Sequence, residues 1–142
     1  MTAIGAHWQF WAALAAIFAA VTAILAKVGV DEVNPDYATF LRTLVVVAVL
    51  GAMLFIRDTP RDGVTVRSVV FLTLSGLATG ASWVCYFRAL KIGNAAQVAP
   101  VDKLSVVLVA VFAAVFLGEK LPLLGWLGVS LIAAGAALVA LA

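Results

Sequence analysis

The 142-residue chain is 65% hydrophobic and only 11% charged, with a mean hydropathy of +1.18, against roughly 45–50% apolar residues in soluble domains. That excludes a water-soluble globule. Nine Lys and Arg against seven Asp and Glu leave a net charge of +2, with no basic stripe to neutralise a phosphate backbone, so nucleic acid is not a partner.

A lone Cys85 and a lone His7 supply neither an internal disulfide nor the ligand cluster of a metal site. Cys85 reads as a buried apolar residue.

A span needs about 20 mostly apolar residues to cross about 30 Å of hydrocarbon. Five such runs are present, and they predict helices over about 8–29, 36–56, 67–90, 95–118 and 121–141. The fold class expected is an all-α membrane protein. A barrel would instead show alternating segments of about ten residues.

The first run, rich in alanine, lacks the positive leader of a signal peptide and is longer than its apolar core, so it reads as a membrane helix. The second carries Arg42 inside an otherwise uncharged stretch. The third places Gly76, Thr79, Gly80, Trp83, Tyr86 and Phe87 on one stripe at three- and four-residue spacing. The fourth opens with Gln97, Pro100, Asp102 and Lys103, and the fifth has no charge. Turn residues separate the spans: Asn34-Pro35, Thr59-Pro60-Arg61-Asp62-Gly63, Gly93-Asn94, then Gly118 and Pro122.

A charge inside a span is costly and usually faces a bundle interior or a watery cavity. Arg42 lies six residues past Asp36, roughly 9 Å along a helix, so it reads either as a snorkelling anchor or as a cavity-lining cation. Trp83 and Tyr86 read either as pocket-lining aromatics or as part of an interfacial belt like that of Trp8, Trp11 and Trp126. Pro100 removes an N–H and crowds the carbonyl of Ala96, which predicts a kinked start to the fourth helix; alternatively it sits in a first turn, with Asp102 and Lys103 as an interfacial ion pair.

Lys27, Arg88 and Lys91, near helix ends, read as interface anchors, and Glu119 with Lys120 as loop electrostatics. Gly76, Gly80, Gly128 and Gly135, like Ala12, Ala16 and Ala20, recur at helix-packing spacing. The fifth helix is the expected dimer face. No catalytic triad, embedded carboxylate pair, phosphate-cradling glycine loop or cofactor motif is present, so an enzyme is not expected.

Five spans put the termini on opposite faces. Arg57, Arg61, Arg67 and Lys120 then oppose Lys27, Arg42, Arg88, Lys91 and Lys103. Orientation normally follows an excess of cytoplasmic Lys and Arg, and here that excess is nearly absent.

The stretch Tyr86-Phe87-Arg88-Ala89-Leu90, then Gly93, Ala95, Val98 and Pro100, continuing through Leu104 to Gly118-Glu119-Lys120-Leu121, resembles the EamA-type domain of the drug/metabolite transporter superfamily; Lys27 and Arg42 match the same pattern. The resemblance covers essentially residues 1–142 as a single domain. It implies half of a ten-helix fold in which two such domains are fused in inverted orientation around a substrate path. Inverted halves need an odd number of spans each, which five satisfies, and a balanced charge count suits insertion in both orientations.

The resemblance therefore implies a multi-pass cell-membrane transporter or exporter of a small organic metabolite or drug, working as an antiparallel homodimer or with a homologous half. The expected path is lined by Arg42, Trp83, Tyr86, Gln97 and Pro100, with Asp102 and Lys103 at its mouth. The small multidrug resistance proteins, which are similar in scale, use a first-helix carboxylate that this chain lacks, so their mechanism does not carry over. The alternative is a non-transporting subunit or scaffold that joins another half-size membrane partner.

Overall fold

The computed structural model describes residues 7–57 and 63–142. The expected turn at Thr59 to Asp62, the charges of Asp58, Arg61 and Asp62, and the leader residues before His7 lie outside the described residues. The helices are α1 (Trp8–Val30), α2 (Pro35–Ile56), α3 (Val66–Ile92), α4 (Ala95–Asp102), α5 (Leu104–Phe112) and α6 (Leu123–Leu141), with a π-helical turn at Ala113–Leu117. Counting Ala95–Leu117 as one span, five segments are long and apolar enough to cross a membrane. The chain is an all-α, multi-pass membrane protein.

Local chemistry fixes where the helices begin and end. Asn34 Oδ1 accepts the backbone N–H groups of Asp36 (2.9 Å) and Tyr37 (3.3 Å), while Pro35 occupies the first helical position, where a missing N–H costs nothing. Thr65 Oγ1 likewise accepts the N–H of Ser68 at 3.1 Å ahead of α3. The π-helical turn ends at Gly118, whose φ of +68° is a left-handed conformation that glycine adopts without a Cβ penalty. The N–H groups of Gly118 and Glu119 both reach back to the carbonyl of Ala113, satisfying an otherwise orphaned helix end.

The fourth span differs from the expectation of one helix kinked at its start. Its break falls after Pro100, at Lys103, where the chain leaves α4 and re-enters as α5. Proline cannot donate to the carbonyl of Ala96. One turn on, the N–H of Lys103 is shared between the carbonyls of Ala99 (3.3 Å) and Pro100 (3.1 Å), a tightening that ends the α-helical ladder.

The chain divides into two compact units. One, Ile24–Ile92, holds the last turns of α1 together with α2 and α3, and α2 packs on α3. Val30 and Leu90 are fully buried there, and Ala26, Thr39 and Phe87 nearly so. The other comprises the described residues up to Ala23 with Gly93–Ala142; in it α4 and α5 pack on α6, and Ala136 is buried. Most large apolar side chains of the spans are exposed, as hydrocarbon surroundings permit. Cys85 is among the exposed residues, which corrects the expectation of burial: an apolar thiol is as well solvated by lipid as by a core.

A Cβ placed at Gly76, Gly80, Gly128 or Gly135 would meet open space. The tight glycine is Gly125, whose Cβ would lie 2.5 Å from Leu121 Cγ, so the leucine ahead of α6 folds back over its first turn.

Candidate functional site

The unit Ile24–Ile92 gathers one group of polar and aromatic side chains near the end where α1 and α3 finish and α2 begins. Arg88 on α3 donates through Nε and Nη2 to the two carboxylate oxygens of Asp36 on α2, at 3.0 and 2.8 Å. This fork makes the two helices antiparallel neighbours at that end. Lys27 Nζ donates to the carbonyl of Leu90 at 2.9 Å and pairs with Asp31 at 3.2 Å. Lys91 Nζ donates to the carbonyls of Val30 and Asp31. The three cations read as interface anchors thus each hold a protein partner, two of them on helix-terminal carbonyls, where a positive charge also complements the helix dipole.

Deeper along α2, Arg42 reaches across to α3. Its guanidinium carbon lies 4.2 Å from the centroid of the Trp83 ring and 5.7 Å from that of Phe87. Trp83 and Phe87 are four residues apart, hence on one helix face, and both can meet one cation. The Tyr86 ring stands edge-on to that of Phe87, with centroids 6.4 Å apart. Among the described residues no carboxylate comes within ion-pair distance of Arg42, and no protein acceptor takes any of its N–H groups. Asp31 and Asp36 are engaged by Lys27 and Arg88.

Of the residues expected on a path, Arg42, Trp83 and Tyr86 are therefore brought together. Gln97, Pro100, Asp102 and Lys103 belong to the other unit. There Pro100 lies inside α4, and Lys103 Nζ stands 3.4 Å from Asp102 Oδ2 at the break between α4 and α5. No group of His, Cys, Asp and Glu suited to a metal ion exists among the described residues.

Sequence reasoning missed two partners. Phe87 was legible only as part of an aromatic stripe, and the pairing of Asp36 with Arg88 across 52 positions had no local signal.

The model of the EamA-like transporter family matches residues 6–141. The chain belongs to this family. Among its similar proteins is an uncharacterized transporter in cobO 3'region of Sinorhizobium sp, 57% identical over 136 residues, covering 94% of this chain and 96% of the relative. No solved structure matches. The matched span takes in all five helices and the residues of the Arg42 cluster.

Proposed function

We propose that this chain carries a small organic metabolite or drug across the cell membrane, and that residues 1–142 act as a single five-span half completed by a second copy in the opposite orientation. The carrying observation is the Arg42 guanidinium, held inside a membrane span against Trp83 with no acid among the described residues in ion-pair distance. An in-span cation is expensive, and one that packs on a neighbouring helix marks a solute path by default. The EamA-like relative is named a transporter, and 96% of its length aligns with this single half.

In this reading Arg42, Trp83 and Tyr86, which lie in one unit, line the path. The nearly balanced charge on the two faces supports insertion both ways, and two oppositely inserted halves restore the inverted repeat on which alternating access depends.

The test uses a Cys85→Ala chain with one cysteine appended after Ala142, probed by an impermeant maleimide in intact and opened cells. Labelling of about half the molecules from outside, as two opposite copies per dimer require, is the expected result. All-or-none labelling overturns the antiparallel homodimer. Counterflow of a radiolabelled metabolite panel in proteoliposomes then tests transport itself. Arg42→Ala is expected to abolish it at unchanged expression, whereas flux that is absent from the unmodified chain leaves a subunit or scaffold.

A further inference from the structure

The charge balance of the Arg42 cluster bears on what kind of solute can occupy it. A guanidinium offers five N–H donors and cannot shed its proton. Here none of those donors meets a protein acceptor among the described residues, and the carboxylates of Asp31 and Asp36 in the same unit are already paired. Cation–π contact is a weaker compensation than a paired carboxylate for a cation drawn into a span. The cluster holds a cation whose compensation is incomplete.

A lipid phosphate at the headgroup level is one source of the missing anion. The geometry disfavours it. Because Arg88 sits beside Asp36, α3 runs antiparallel to α2, so Trp83 lies one turn deeper than Phe87. The guanidinium is nearer the deeper ring, at 4.2 Å against 5.7 Å. A snorkelling arginine would extend the other way, toward the start of α2. Neither ring is a conventional acceptor, so the N–H groups of the guanidinium remain to be met by an oxyanion.

From this arrangement we infer that the solute is an organic anion, a carboxylate or like oxyanion taken by the Arg42 fork, with an apolar or aromatic body packed beside Trp83 and Phe87. This rests on the reading of the cluster as a transport site. It excludes organic cations, which Arg42 repels, even though an aromatic pair alone would attract them.

The experiment uses three rings of similar size: benzenesulfonate, benzyltrimethylammonium and benzyl alcohol. Trp8, Trp11 and Trp126 are changed to Phe so that Trp83 is the one remaining indole, and the circular dichroism of this chain is matched to the unmodified protein. Saturable change of Trp83 emission with benzenesulfonate alone is expected. Arg42→Gln weakens it about ten-fold or more, as loss of a charge-assisted bidentate contact requires, and Arg42→Lys falls between. Calorimetric titration of the unmodified protein with benzenesulfonate provides the same reading without the Trp substitutions.

Equal binding of the ammonium, unchanged benzenesulfonate affinity in Arg42→Gln, or no benzenesulfonate response by either method overturns the inference. So does a Trp83 change produced by replacing phosphatidylcholine vesicles with phosphatidylglycerol vesicles without added solute, which assigns Arg42 to a headgroup. Counterflow separates the two readings. Flux of the ammonium but not the sulfonate overturns the anion while transport stands; saturable sulfonate binding without any flux supports the anion site and overturns transport.

Discussion

Lys27 and Lys91 cap each other's helices: Lys27 on α1 donates to the carbonyl of Leu90 in the last turn of α3, and Lys91 on α3 donates to the carbonyl of Val30 at the end of α1. The carbonyls that the clamp engages include those of Val30 and Leu90, whose side chains are fully buried, so two charge-assisted hydrogen bonds act where the unit is most buried. Replacing either lysine with methionine keeps the apolar stem and removes the donor. Each change is expected to cost about 1–2 kcal/mol, the range for a hydrogen bond to a charged group combined with a helix-end charge. Asp31 serves both lysines, through its carboxylate and its carbonyl, so the double variant should lose less than the sum of the singles. Thermal melting in detergent measures this, and strict additivity would show that the two caps act separately.

The fork between Arg88 and Asp36 joins α2 to α3 in an exposed setting, with both side chains more than half accessible. Exposed pairs are screened by salt, so geometry rather than large stabilisation is its expected contribution. Reversing one charge, as Arg88→Asp or Asp36→Arg, should lower the melting temperature at low ionic strength. The doubly reversed chain should recover much of that loss, and high salt should shrink both effects. A double reversal no better than either single would show that the fork does not hold the helices.

Gly118 ends the fourth span in a left-handed conformation at φ +68°, with open space around the position of a Cβ. Strain, not crowding, is therefore what a side chain meets there. Gly118→Ala is expected to cost about 1–2 kcal/mol, Gly118→Asn less, because asparagine tolerates this region, and Gly118→Val more. Equal melting temperatures for the Ala and Val variants would argue that the turn relaxes to another conformation.

Much of this architecture is written in the chain because membrane spans are long, local and compositionally stark. Asn34-Pro35 announces α2, Gly118 announces the end of the fourth span, and Arg42 stands out because a charge among apolar neighbours has few structural explanations. What the chain does not display is rotation about each helix axis. Periodicity cannot say that Arg42 turns toward Trp83 and Phe87, 41 and 45 positions away, since α2 and α3 are apolar on nearly all sides. The same loss of contrast hid Cys85: in water an exposed apolar side chain is penalised, whereas in hydrocarbon it is not, so exposure leaves no mark in the pattern. The break at Lys103 was displaced for a different reason. Proline announces that a helix is disturbed, but which later turn yields is decided by how the freed backbone groups are shared.

Pro100 offers the sharpest test of whether that break serves movement. An interior helical proline costs about 3 kcal/mol relative to alanine in a regular helix, and part is recovered because proline restricts the unfolded chain by about 0.4–1 kcal/mol. Pro100→Ala restores the donor to the carbonyl of Ala96 and favours a continuous helix through Lys103, so a gain of about 2–2.5 kcal/mol in thermal stability is the expected net. If alternating access uses the joint between α4 and α5, counterflow in proteoliposomes should fall several-fold in the same variant, a trade of activity for stability. Pro100→Gly restores the N–H yet leaves the backbone free to bend, and should retain more flux than Pro100→Ala while gaining less stability. Flux that rises together with melting temperature in Pro100→Ala would show that the break is merely tolerated.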